Sequence, residues 1–520
     1  MKLSKSITSL VSAFALLGVL AGCNNGGSSS STPTDTGSTG TTPVGPSGSK
    51  PVSDEYGEAP NQVDISFWHT FGDTVESRLS QHIADFQQKV LAHDGVTVNV
   101  DLQYKGNYDE LEGVISKGFA AHNIPTIAVA YPDNVAFYMY QASEGTVINL
   151  DQWMNDPNVG FATQDWLGDN GVGKEDFIPA FIEESSMYQV EGSYSLPFMK
   201  SSEVLFYNKE LFYVACALYQ PEGVNTESQD AMDNWIAGLN WTEFMDFNRF
   251  IHAHASEISN TIEYPAIYDS DANLFITKLA QNGVDFSGIG ENGIGTIPWE
   301  SGEDRTKAEG IVQQITDAYG AGLFTTKGIE GEYGSNAFVQ EQTIFSIGSS
   351  GGTGYNIPAS GAFEVGVCRV PPVDEDHKMY ISQGPTLTLL RNSTNDATAY
   401  WRTYYSWELL KYLTNTDVNA DMCVLGSEGY VPVRYSSYTT SIYTSFMNDV
   451  NDTYVKTSLV VQDDIIDGGQ FINTAVFAGS SQLRDAADGI FSRVVNESQT
   501  VSASLQYAID TAKNYFHPVN

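Results

Sequence analysis

The chain is 520 residues long, too much for one ordinary core, so two or more lobes are expected. Hydrophobic residues make up 41% of it and aromatics 12%, which excludes a wholly disordered protein. With 25 Lys+Arg against 64 Asp+Glu the formal charge is −39, a surface that repels phosphate backbones and excludes nucleic acid as a partner.

Lys2 and Lys5 form a positive region ahead of an apolar run, Ile7 to Leu20. That run has the length of a signal peptide and is too short to span a bilayer as a helix. It ends in Leu20-Ala21-Gly22-Cys23, which resembles a bacterial lipobox. The resemblance implies that residues 1–22 are removed, that Cys23 is lipidated, and that the protein is held outside the cytoplasm on the cell membrane. The alternative is an ordinary secretory signal with an incidental cysteine. Residues 24–60 are dominated by Ser, Thr, Gly and Pro, and such a stretch cannot bury enough surface to offset its ordering entropy. Together, 23–60 read as a lipidated residue and a flexible tether with a reach of about 30–35 Å.

The body begins near Gln62 and alternates between periods. Val63 to Trp68 is a β-rich run. Val75, Leu79, Ile83, Phe86 and Val90 recur at helical spacing and predict a helix over Asp73 to Leu91. Val96 to Leu102 alternates as a strand, Tyr108 to Phe119 reads as a helix, and Thr126 to Tyr131 reads as a buried strand. This β-α-β-α-β order predicts a parallel sheet with covered faces, hence an α/β class. Asn240 and Glu243 form a helix-start signature, and the helix is expected to run to about Ala255. Further helical patterns cover 306–319, 397–413 and 482–515, and Phe363 to Val370 reads as a strand.

Signals for covalent chemistry are weak. Gly288 to Gly293 matches GxGxxG but follows a helical segment, so it reads as a loop. Gly348 to Gly354 lacks the GK[ST] ending of a phosphate-binding loop. His252 and His254 sit two apart on a predicted helix and are poor joint ligands. Asp417, Asn419 and Asp421 mimic part of a calcium loop without its glycine or distal glutamate. Four scattered cysteines, Cys23, Cys216, Cys368 and Cys423, make neither a disulfide framework nor a zinc motif. No cofactor, no metal and no catalytic residue are therefore expected; a secreted glycan hydrolase and a surface adhesin stand as lesser alternatives.

Eight segments in order resemble bacterial ABC-transporter solute-binding proteins of the extracellular family 1 type. They are ISFWHT from Ile65, YKGNY from Tyr104, IPTIAVAY from Ile124, YSLPFMKSSEVLFYNKELF from Tyr194, NWTE from Asn240, FSIGSS from Phe345, QGP from Gln383 and GYVP from Gly429. Within the family the chain most resembles members that bind glycerol-3-phosphate. The resemblance implies a two-lobed, Venus-flytrap fold of type II, with lobe one at 61–196 plus 385–440 and lobe two at 197–384 plus 441–520. It implies a monomer with no enzymatic turnover, a membrane permease as partner, and ligand contacts at Tyr108, Ser201, Ser349, Gly384, Tyr430 and Arg484. Trp241 matches a tryptophan lining the polyol side. Pro132 stands where the family has a ligand-binding glutamate, and Asp133 beside it is the candidate substitute. The ligand expected first is glycerol-3-phosphate or a glycerophosphodiester, and second a neutral mono- or oligosaccharide. Each residue has a plainer reading: Arg484 as an ion-pair partner, Trp241 as packing, Ser201 as a cap, Gly384 as hinge geometry.

Overall fold

A computed structural model describes residues 50–161, 166–167, 173–359, 361–392, 396–426 and 429–518. The expected signal region, Cys23 and most of the expected tether lie outside these residues. In chain order the first half gives β1 (Gln62–His69), α1 (Asp73–Asp94), β2 (Thr97–Tyr104), α2 (Tyr108–Ala121), β3 (Ile127–Ala130), α3 (Pro132–Gln141) and β4 (Leu196–Pro197). Next come β5 (Glu203–Asn208), α4 (Trp241–Ala253), β6 (Ala266–Tyr268), α5 (Asp271–Gln281), α6 (Gly302–Gly320), β7 (Phe324–Thr326), β8 (Phe345–Ser349) and β9 (Val365–Arg369). The last part gives β10 (Thr386–Leu389), α7 (Ala397–Leu413), α8 (Thr416–Leu425), α9 (Ser480–Asp488) and α10 (Val501–Lys513).

Two five-stranded sheets result, ordered β2-β1-β3-β10-β4 and β7-β6-β8-β5-β9. β1 lies parallel to both β2 and β3, as the alternation of strand and helix predicts. β10 enters the first sheet antiparallel to β3 after the chain has built most of the second. All five periodic apolar residues of α1 are buried, because that stripe lies on the sheet. β3 and β5 are buried along their whole length, which is why neither shows a period of two.

The segments joining the sheets run side by side. Ser201 N–H donates to the Gln383 carbonyl at 2.9 Å, and Lys200 exchanges backbone hydrogen bonds with Val431. Fully buried Lys200 is neutralised by Glu184 at 2.5 Å, so the crossing holds a paired charge rather than a bare one.

One expectation is corrected, and two readings gain detail. The helical pattern over 482–515 is broken: α9 stops at Gly489, a short helix covers Ile490–Val495, and α10 begins only at Val501. Asp417, Asn419 and Asp421 lie within α8, where Asp421 pairs with Arg78 and His82, and Asn419 accepts from the Val433 N–H. The GxGxxG stretch forms a small hairpin between Gly288–Ile289 and Gly295–Thr296. Among the described residues no helix is long and apolar enough to cross a membrane.

Candidate functional site

Ligands of open α/β sheets bind beyond the carboxyl ends of strands. In the first sheet those ends lead into Thr70, Tyr108 and Tyr131; in the second they lead into Asp269 and Ser349. Local sequence fixes the first set. Asn107 caps α2, its Oδ1 accepting from the Glu110 N–H at 2.9 Å while Glu110 Oε2 accepts from the Asn107 N–H at 2.9 Å. That reciprocal pair places Tyr108 on the first helical turn. Asn134 does the same for Tyr131, accepting its N–H at 2.8 Å at the head of α3.

Tyr108 and Tyr131 form a tilted ring pair with centroids 4.3 Å apart. The Tyr108 hydroxyl also bonds to Thr70, and Tyr430 stands close enough to act on it electrostatically. Burial, then these two tyrosines, hold the Tyr108 phenol well above its ordinary range, so it stays protonated and able to donate. Tyr131 was not among the expected contacts, although it closes the IPTIAVAY segment. On the second sheet Ser349 Oγ donates to Ser201 Oγ at 3.3 Å and accepts from the Gly351 N–H at 3.1 Å. The structure thus brings Ser201 and Ser349 together as one hydroxyl pair.

Asp133 and Arg484 meet. Arg484 Nε lies 3.3 Å from Asp133 Oδ2, and its Nη1 donates to Asn273 Oδ1 at 2.9 Å. The chain of contacts continues: Asn273 Nδ2 donates to Glu203 Oε1 at 3.1 Å, and Tyr268 donates to Glu203 Oε2. Burial pushes the Glu203 carboxyl up to about 7, with the two hydrogen bonds opposing the rise. Asn273, Tyr268 and Glu203 escaped sequence reasoning. Glu203 lies inside the KSSEV segment, but nothing local marks Asn273.

Two expected contacts take other roles. Trp241 is 3% exposed and packs against Phe244 and Phe324, with the Lys278 ammonium 4.1 Å from its ring centroid. Its faces are occupied inside the second lobe, so the expectation of a ligand-lining ring is corrected: as the first residue of an amphipathic helix it is drawn into the core. Gly384 has φ 103°, and a Cβ there would overlap the Met199 carbonyl. Its absence of a side chain lets two crossing segments touch.

A family model described as bacterial extracellular solute-binding protein matches residues 81–448. The chain belongs to the bacterial extracellular solute-binding protein family. Solved structures of similar fold include UgpB from Mycobacterium tuberculosis in complex with glycerophosphocholine, at TM-score 0.63 and 14% identity, covering 87% of this chain and 98% of that one. The cyclic alpha-maltosyl-1,6-maltose binding protein from Arthrobacter globiformis matches at TM-score 0.60 and 15% identity, covering 87% and 99%. The GacH receptor of Streptomyces glaucescens matches at TM-score 0.59 and 16% identity, covering 88% and 98%. Among curated protein sequences, none is matched by this chain. The two-sheet architecture of this solute-binding protein is therefore the two-lobed, type II flytrap fold that the sequence motifs imply.

Proposed function

We propose that this solute-binding protein is the receptor of an ABC importer, taking up an uncharged carbohydrate or polyol and presenting it to a membrane permease. Tyr108, Tyr131 and Tyr430 carry this reading: the first two pair their rings, Tyr430 lies near Tyr108, and the Tyr430 ring and the Ser349 hydroxyl of the Ser201–Ser349 pair both approach Gly351. Aromatic faces pack on the C–H faces of sugar rings, and hydroxyls exchange hydrogen bonds with sugar hydroxyls at no charge cost. Lobe one comprises 61–196 and 385–440, lobe two 197–384 and 441–520, and the crossings near Leu196-Pro197 and Gly384-Pro385 act as hinges. Lipidation of Cys23 and the tether hold the body outside the cytoplasm, near the permease. The protein binds without turnover.

A glycerophosphodiester is the second reading. Its support is Arg484, whose side chain remains 31% exposed despite its two partners. Calorimetry against neutral oligosaccharides and glycerol-3-phosphate, paired with small-angle scattering, separates the two. A neutral oligosaccharide is expected to bind at micromolar levels, to shrink the radius of gyration, and to be recovered intact. Saturation by glycerol-3-phosphate with no response to any oligosaccharide would sink the carbohydrate reading.

A further inference from the structure

Arg484 is the cation that an anionic ligand would seek, and it is already committed. Asp133 belongs to α3 on the first sheet, and Asn273 to α5 on the second. α9, which carries Arg484, packs against both helices. Asp133 is 8% exposed, so its carboxylate is poorly hydrated and leans on the guanidinium beside it. Other carboxyls crowd the same junction. Asp485 is pushed up to about 6 by burial first, then by Asp109, Asp133 and Asp488. Glu112, which accepts from Asn134 Nδ2 at 2.7 Å, is pushed up to about 7 by burial, with Asp485, Asp109 and Asp133 adding to it.

An anion arriving at Arg484 has to displace Asp133 and then face these acids. A neutral pair of hydroxyls meets no such obstacle: one donates to the carboxylate while the other accepts from the guanidinium. We propose that Asp133 is a specificity-determining residue, holding Arg484 neutralised between the lobes so that the cleft accepts uncharged polyhydroxy ligands and turns anions away. The proposal rests on the receptor reading above and gives that cleft its charge preference.

Calorimetry on the full chain tests it, with glycerol-3-phosphate as the anionic probe and maltotriose as the neutral one. Asp133→Asn keeps the shape and removes the competing charge. It is expected to bind glycerol-3-phosphate at least about tenfold more tightly than the wild type, as one freed charge-assisted contact implies. That gain should shrink with added salt and vanish in Asp133→Asn/Arg484→Gln. An Asp133→Asn protein that melts as the wild type does yet gains nothing for the anion overturns the proposal. So does a wild type that binds glycerol-3-phosphate at micromolar levels and loses it in Arg484→Gln, an outcome that needs no Asp133 variant to fold. The two readings fail separately. Absence of oligosaccharide binding with the Asp133→Asn gain intact removes the carbohydrate and leaves the charge gate. Oligosaccharide binding without the gain does the reverse.

Discussion

Lys278 offers the sharpest physical test of the second lobe. Its side chain is 2% exposed, its Nζ donates to Gln281 Oε1 at 3.1 Å and sits over Trp241, and among the described residues no carboxylate pairs with it. Burial alone lowers its pKa from the ordinary 10.5 to about 7. Between those values the unfolded lysine keeps its proton while the folded one has shed it, so the unfolded state binds more protons. Stability therefore rises with pH across this window, by about 1.4 kcal/mol per pH unit. Below pH 7 both states are charged and the full penalty stands. Lys278→Met preserves length and removes the titration. The stability of Lys278→Met minus that of the wild type should then fall by about 2 kcal/mol from pH 7.5 to 9.0. Urea unfolding followed by tryptophan fluorescence at three pH values measures it. The intercept depends on the lost Gln281 bond and the lost ring contact; the slope does not. A difference that stays constant over this range would refute the burial argument.

Glu203 predicts the opposite slope: its folded pKa is raised to about 7, so as pH climbs from 4.5 to 7 the unfolded state releases its proton first and stability falls. Relative to Glu203→Gln, the wild type should lose about 3 kcal/mol over that interval in urea titrations. Gly384→Ala forces a side chain onto a left-handed backbone against Met199 and should cost about 2 kcal/mol or more, read as a lowered urea midpoint with unchanged slope. Tyr108→Ala removes the ring pair and should weaken a neutral oligosaccharide roughly tenfold in calorimetry, whereas Trp241→Ala should act on stability first. Cys23→Ser should abolish labelling by a fatty-acid analogue and release the protein from membranes; undiminished retention would argue against the lipid anchor.

Much of the local structure could be read from spacing. A stripe such as Val75, Leu79, Ile83, Phe86 and Val90 is a local property of the chain, and so are the Asn107–Glu110 and Asn240–Glu243 caps. Each is written within a single helix, where the helix period alone decides which side chains meet. The break at Gly489 was less legible, because a helical pattern on either side of a glycine looks continuous until the two halves pack on different neighbours.

The site divides along the same line. By itself the sequence placed Tyr108 at the start of a helix and Tyr131 at the end of a buried strand, and put Ser349 in one of the family's segments. The motif order determined the family. Only the tertiary structure decided what those residues touch: that Arg484 spends its charge on Asp133, 351 positions away, that Asn273 links them to Glu203, and that Trp241 is sealed in the core by Lys278. The reason is one of range. Helix and strand periods act over a few residues, whereas an ion pair between α3 and α9 exists only once both sheets have packed and excluded the water that would otherwise hydrate each charge separately.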